Sequence, residues 1–124
     1  MREIKFKGKR INKDEWVFGF YFQRNSEDER DKWHFIHDGE HIQYMVKPET
    51  VSQYTGLKDK NTIEIYENDI LYDNRLDKNY LVEFKKGKFI IVRYMIRDNG
   101  EKVITPPELS LCLFSSQLGQ PHLT

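Results

Sequence analysis

Residues 53–73 read QYTGLKDKNTIEIYENDILYD, the densest run of backbone-controlling residues in the chain. Gly56 supplies a positive φ at no steric cost. The polar run 58–61 is typical of a turn, because Asp and Asn side chains bond their own backbone. A second turn is predicted at 67–69, followed by a strand at 70–72. Two turns so close together predict a compact corner rather than a linker.

Four acidic residues lie in this corner: Glu64, Glu67, Asp69 and Asp73. They could form a carboxylate site for a metal or for acid–base chemistry. Alternatively they are turn and cap residues, which we favour because turns select Asp and Asn. No His or Cys lies close in sequence to complete a transition-metal set. We therefore expect no catalytic residues, no metal site, no cofactor and no enzymatic activity.

The strings QYTGLKDKN and EIYENDI resemble the YopX-like family of phage and prophage proteins. The opening MREIKFKGKR also fits the start of that family. The resemblance marks a structural motif, whose members here are Gln53, Tyr54, Gly56, Asp59, Asn61, Tyr66, Glu67, Asn68 and Asp69. It implies a small β-rich fold with an SH3-like barrel in the C-terminal half, and it implies no established biochemical activity.

Two positions depart from the family pattern, which has glycine where this chain has Thr62 and Asn68. Asn tolerates the left-handed region of φ/ψ space, so the second turn should be preserved. Thr is β-branched and poorly suited to a positive φ. We therefore expect the first turn to differ here.

Hydrophobic alternation after the motif predicts an antiparallel meander. Residues 80–85 and 88–97 flank a tight Lys-Gly turn, and Asn99-Gly100 is a preferred hairpin pair before 102–104. The predicted fold is mainly β, with an SH3-like barrel at 53–124 and an N-terminal β-hairpin extension at 1–52 packed on it.

Composition favours strands and a soluble protein. Among 124 residues, 14% are aromatic and none is alanine, the best helix former. Twenty basic and twenty acidic residues cancel, so no global basic field points to nucleic acid. The single cysteine, Cys112, excludes an intrachain disulfide. With no signal peptide and no apolar run of membrane length, we expect a cytoplasmic protein of a bacterial host cell, without membrane contact.

Basic residues concentrate in two places. Lys5, Lys7, Lys9 and Arg10 lie in an alternating N-terminal strand, and Lys85, Lys86 and Lys88 surround the Lys-Gly turn. These are the candidate binding residues, since lysines can neutralise phosphates. Lysines also guard exposed strand edges against pairing, which is the alternative we favour for the N-terminal strand.

Residues 15–23 predict a strand rich in large aromatics. Trp16, Phe18, Phe20 and Phe22 share one face by the period of two. Such a row could stack nucleic-acid bases, but we expect core packing, with both faces of the strand covered. Gly19 predicts a bulge or a close backbone approach.

The C-terminal tail gives conflicting signals. Thr105-Pro106-Pro107-Glu108 has the form of a capping box, whereas the leucines that follow alternate as in a strand. We expect a helical turn at 106–110 and then a closing strand at 111–115. Cys112 is expected to be a small buried hydrophobe.

Two functions remain open. A non-catalytic protein-interaction module acting on a host or phage protein ranks first, with homo-oligomerisation as a variant. The alternative is a nucleic-acid-binding accessory protein that uses the basic N-terminal arm and the Lys85–Lys88 turn.

Overall fold

The computed structural model describes residues 3–27 and 32–120, without the side chains of 105–107. The chain divides into two compact units, Met1–Tyr54 and Thr55–Thr124. Both are built from antiparallel strands, so the prediction of a mainly β protein is confirmed.

The first unit is a curled antiparallel sheet with the strand order β4-β3-β2-β1-β5. Its elements are β1 (Phe6–Lys9), β2 (Trp16–Asn25), β3 (Lys32–His37), β4 (Gln43–Met45), a 3-10 turn (Pro48–Thr50) and the start of β5 (Ser52–Lys58). β1 pairs with β2 along its length, and its first residues also pair with β5.

The curl brings β4 and the residues after it back to the end of β1. The Ile11 amide donates to Met45 O at 3.1 Å, and the Lys47 amide donates to Lys9 O at 2.9 Å. Gly8 permits this approach, because a Cβ built on it would stand 3.1 Å from Val46 Cβ. The absence of a side chain at Gly8 therefore lets the sheet curl tightly.

One face of this sheet carries the core of the first unit. Val17, Ile36 and Val46 are buried there, with Phe6, Tyr21, Tyr44 and Val51 packed around them. Gly19 lies within β2 at a φ of 153°, and a Cβ built on it would stand 2.0 Å from His37 O. The predicted close backbone approach at Gly19 is confirmed.

The second unit contains a four-stranded meander in the order β10-β9-β8-β7. Its elements are β6 (Glu64–Tyr66), β7 (Ile70–Asp73), β8 (Lys78–Lys85), β9 (Lys88–Ile96), β10 (Lys102–Ser110), α1 (Leu111–Phe114) and a 3-10 turn (Ser115–Gln117). β6 pairs with the later part of β5. Across residues 3–27 and 32–120, neither sheet forms a closed barrel.

The core of the second unit gathers side chains from β6 to the last helical turn. It comprises Ile65, Leu71, Tyr80, Val82, Phe89, Ile91, Leu111 and Leu118. After α1 the chain returns to the edge strand β7, where Tyr72 and Gly119 exchange two backbone hydrogen bonds of 2.7 and 3.0 Å.

The expectation for the tail was wrong in both parts. Residues 106–110 belong to β10, and 111–117 are helical. Pairing with β9 overrides the capping-box signal, since Leu109 and Ser110 lie opposite Ile91 and Ile90. The register shifts between Thr105 and Leu109, around two prolines that have no amide to donate.

The first turn of the 53–73 motif also differs from expectation. Thr62 adopts a φ of 64°, so the left-handed conformation is kept without glycine. Its amide donates to Asp59 O at 3.0 Å, which fixes the turn. Asn68 takes a φ of 72°, as predicted for the second turn.

Candidate interaction surface

The aromatic row of β2 lies at the surface, contrary to the prediction that it is core. Trp16, Phe18 and Phe20 are 40%, 48% and 60% exposed. The buried face of this strand is the opposite one, where Val17 packs against Ile36 and Val46. Both faces of β2 are apolar in sequence, but these three β2 side chains stay exposed. On their side of the sheet Phe35 of β3 is buried, at 9% exposed.

Neighbouring strands extend this exposed face. Register places Phe22 opposite Phe35 and Arg24 opposite Trp33, and Phe35 in turn lies opposite Met45. Trp33 is 45% exposed, and the rings of Phe22 and Phe35 stack with centroids 5.2 Å apart. We call the exposed set Trp16, Phe18, Phe20, Trp33 and Met45 the aromatic face.

The aromatic face is large for a single small unit. A Phe or Trp side chain presents roughly 150–250 Å² in all, so four such rings near half exposure offer about 400 Å². Patches of about 300–600 Å² are the largest on typical monomers and are often functional. Its size marks it as a candidate contact surface.

Two of the predicted binding residues border the aromatic face. Lys7 lies opposite Phe18 and Lys9 opposite Trp16 in the β1–β2 register. Their Nζ atoms stand 4.7 and 5.6 Å from the Trp16 ring centroid, within cation–π range. Lys9 also pairs with Asp14 at 2.7 Å, and this hydrogen bond lowers the pKa of the Asp14 carboxyl.

The charged strand positions on this side of the sheet are all basic. Among the described strand positions of β1 to β4 that share the face of Phe18, the charged residues are Lys7, Lys9 and Arg24. No Asp or Glu occupies such a position in those described strands. The cations lie toward the two ends of the β2 row, and its middle is uncharged.

The matched family model spans both units. The chain matches the model described as YopX protein over residues 5–109. It belongs to the YopX family. The match includes all strands that form the aromatic face, together with the 53–73 motif. No curated protein matches the chain.

In this YopX-family chain, the motif residues build turns rather than a reactive site. Asp59, 5% exposed, accepts hydrogen bonds on Oδ1 from the Asn61 and Ile63 amides at 2.8 and 3.0 Å. Asp69 accepts from the Tyr66 amide at 2.8 Å. These carboxylates replace missing backbone partners in tight turns, which explains why the motif needs acids at these positions.

The other members of the motif place β5 and shape its path. Gln53 lies opposite Phe6 in the β1–β5 register, and the Tyr54 amide donates to Lys5 O at 2.7 Å. Gly56 takes a φ of 84° within β5.

Arg10 and Lys5 have partners of their own. Lys5 Nζ lies 3.3 Å from a Glu3 oxygen and 5.1 Å from the Tyr54 ring centroid. Arg10 pairs with Glu15 at 3.4 Å and stands over Tyr44. These pairs reduce the positive field of the basic arm.

The second basic group lies in the hairpin that joins β8 and β9. Lys85 and Glu108 form an ion pair, whose hydrogen bond lowers the pKa of Glu108 and raises that of Lys85. The charges of Lys86 and Lys88 also lower the Glu108 pKa. Lys86 and Gly87 are the left-handed turn residues. Glu108 thus offsets part of the basic charge of this hairpin.

Metal-type clusters are not seen in the described ranges. No group of three or more His, Cys, Asp or Glu residues there could hold an ion. His34 is hydrogen-bonded to the Tyr21 hydroxyl at 2.6 Å, and His37 Nδ1 accepts from the Gly39 amide. Cys112 is exposed, so the expectation that it is buried was wrong; Leu111 fills the core instead.

A membrane-spanning helix is likewise not seen in the described part of the chain: no helix there is long and apolar enough to cross a bilayer.

Proposed function

We propose that this YopX-family protein is a non-catalytic protein-interaction module of phage or prophage origin, and that the aromatic face is its contact surface. The observation that carries the proposal is the exposure of Trp16, Phe18 and Phe20 side by side on β2. Aromatic residues and Met are enriched at the centres of protein interfaces. Burying them on a partner would recover hydrophobic free energy that folding leaves unused.

The partner in this proposal is a host or phage protein in the bacterial cytoplasm. Self-association through the same face is a variant, but two identical faces would bring Lys7, Lys9 and Arg24 of each copy together. Such like-charge contacts oppose pairing. A different protein with complementary charge therefore fits better.

Nucleic acid is the second candidate, favoured by the basic residues at the charged strand positions of the face. One observation counts against nucleic acid: four of the basic residues have a carboxylate partner within the chain, namely Lys5, Lys9, Arg10 and Lys85. A phosphate backbone would have to displace these acids, and affinity for nucleic acid depends on the number of phosphates neutralised.

The proposal assigns no catalytic step to the chain, and the hydrogen bonds of the motif carboxylates support this choice. The carboxylates Asp59 and Asp69 are hydrogen-bonded to turn amides, and Asp73 is bonded to Arg75. Carboxylates that accept hydrogen bonds from turn amides act as structural groups, which supports a non-catalytic function.

We further propose that the second unit is an open form of the SH3-like barrel. The four-stranded meander supports this, as does the helical turn that follows β10. The bridge between Tyr72 and Gly119 brings the chain after β10 to the opposite edge strand, in the direction that closure requires.

Site-specific photo-crosslinking tests the function. A benzoylphenylalanine replaces Phe20 in the full chain expressed in the bacterial host, and the matched control replaces Leu113, which is 69% exposed in the second unit. We expect discrete protein adducts at position 20 that are absent at position 113. Adducts to nucleic acid at position 20, or equal protein labelling at both positions, would overturn the proposal.

A further inference from the structure

We infer that the aromatic face binds a protein segment in which acidic residues flank an aromatic or aliphatic stretch. This inference rests on the proposed function and names the chemistry of its partner. It follows from the backbone hydrogen bonds at the outer side of β4 and from the distribution of charged residues along β2.

Backbone hydrogen bonds on the outer side of the end of β4 restrict strand addition there. One side of β4 is paired with β3, and on its other side Met45 O accepts the Ile11 amide at 3.1 Å. The following residue, Val46, is bridged to Arg10. Because the end of β4 is already hydrogen-bonded on its outer side, the inference places the partner over the side chains of the sheet face rather than along this edge.

The cations stand toward the two ends of an uncharged row. Lys9 and Trp16 are register partners at one end, and Arg24 and Trp33 are partners at the other. At about 3.3 Å per residue, positions 16 and 24 are separated by roughly 26 Å along β2. Between them lie Phe18 and Phe20, which are exposed, and Phe22, which is half-buried.

A matching ligand carries negative charge at its ends and apolar side chains in its centre. Asp14 illustrates the contact at one end, since its carboxylate lies 2.7 Å from Lys9 Nζ beside the Trp16 ring, and a partner carboxylate at Lys9 would have to displace it. A partner carboxylate near Lys7 would find the same combination of cation and aromatic ring. Electrostatic complementarity of this kind gives an interface its specificity.

A continuous polyanion fits this pattern less well. Single-stranded nucleic acid carries one phosphate per nucleotide, and binding grooves for it track the backbone with positive charge. In the centre of the β2 row, Phe20 and Phe22 lie opposite His37 and Phe35, and only Phe18 lies opposite a lysine, Lys7. The alternation of charged and uncharged zones therefore favours a peptide over a nucleic acid.

Selection from a displayed library of random dodecapeptides on the immobilised full chain tests the inference. We expect enriched sequences with Asp or Glu on both sides of aromatic or aliphatic residues. Enrichment of basic or purely apolar peptides, or no enrichment, would overturn the inference. If crosslinking at position 20 still yields protein adducts, the proposed function survives that result.

A second measurement compares the affinity of one enriched peptide for the native chain and for its variants. The fluorescence of Trp16 and Trp33 reports the binding. We expect Kd to rise about tenfold or more for Phe20→Ser and for the double variant Lys7→Glu/Arg24→Glu. Leu113→Ser should leave Kd unchanged. A peptide in which lysine replaces the acidic residues should not bind the native chain. The same peptide should bind the double variant Lys7→Glu/Arg24→Glu, because both charges are then reversed.

A twenty-nucleotide oligo-dT serves as the competing ligand in the same assay. Failure of rescue in the charge swap, or tighter binding of oligo-dT than of the peptide, would overturn the inference. Thermal unfolding of each variant confirms that it is folded before its Kd is compared.

Discussion

Lys7 Nζ stands 4.7 Å from the centroid of the Trp16 ring, so a cation and an exposed aromatic ring form one composite surface across β1 and β2. The same two strands bury Val17 on the other side. In β2 the buried Val17 and the exposed aromatic side chains therefore lie on opposite sides of one strand. Stability and recognition should then respond separately to mutation.

Substitutions on the two faces of β2 should lower the free energy of unfolding by very different amounts. Phe20→Ser should change the free energy of unfolding by less than about 0.5 kcal/mol, because that side chain is 60% exposed. Val17→Ala should cost about 2 kcal/mol, because Val17 is only 7% exposed. Urea denaturation measures both. A larger loss for Phe20→Ser than for Val17→Ala would show that the aromatic row is core.

Gly19→Ala should be among the most damaging substitutions in the first unit. Its new methyl would collide with His37 O, and its φ of 153° disfavours a side chain, so we expect a loss of about 3 kcal/mol. Gly87→Ala is the control, since its φ is 79° but nothing lies within 4 Å of its Cβ position. The free energy of unfolding of that control should fall by about 1 kcal/mol. Equal losses in chemical denaturation would refute a steric role for Gly19.

Thr62→Gly should stabilise the protein by about 1 kcal/mol. Thr62 holds a φ of 64°, where a β-branched residue is strained and glycine is not. Asn68→Gly, at a φ of 72°, should change the unfolding free energy by only a few tenths of a kcal/mol, because Asn tolerates this region. Thermal unfolding compares the two. A destabilised Thr62→Gly would mean that its side chain contributes more than its backbone strain costs.

The pair of Asp73 and Arg75 should contribute to the acid sensitivity of the second unit. Burial alone would raise the pKa of Asp73, but hydrogen bonds and charge from Arg75 outweigh it and leave the pKa below 3.8. A lowered folded-state pKa stabilises the protein above the unfolded pKa, and this contribution is lost as pH falls through the folded value.

Asp73→Asn should therefore destabilise the protein at pH 7, with the difference from the native chain shrinking toward pH 3. Urea unfolding at both pH values measures it. Arg75→Ala should show the same pH dependence, and the double variant should add little to either. If the difference in unfolding free energy stayed constant with pH, the ion pair would not contribute to the acid sensitivity.

The sequence predicts strand pattern better than it predicts burial. The meander and the Lys86-Gly87 hairpin follow from local alternation and turn chemistry, and the structure contains both. A period of two assigns Trp16 and Val17 to opposite faces of β2 but does not say which face is buried. That choice depends on Ile36 and Val46, which are distant in sequence and reach Val17 only through the curl of the sheet.

The tail shows the same limit. Thr105 to Glu108 carry a local helix signal, yet Leu109 and Ser110 continue β10 because β9 offers them a ladder. Helix begins instead at Leu111, which places Leu111 in the core and Cys112 at the surface. Long-range pairing decided the boundary, and the position of the exposed cysteine followed from it.

The bridge between Tyr72 and Gly119 also has a kinetic meaning. Its partners are far apart in sequence, so their contact closes a long loop and carries a large entropic cost before it contributes any stability. Contacts of this kind slow folding. During synthesis the core of the second unit would stay incomplete until Leu118 had left the ribosome, because Leu118 is one of its buried residues.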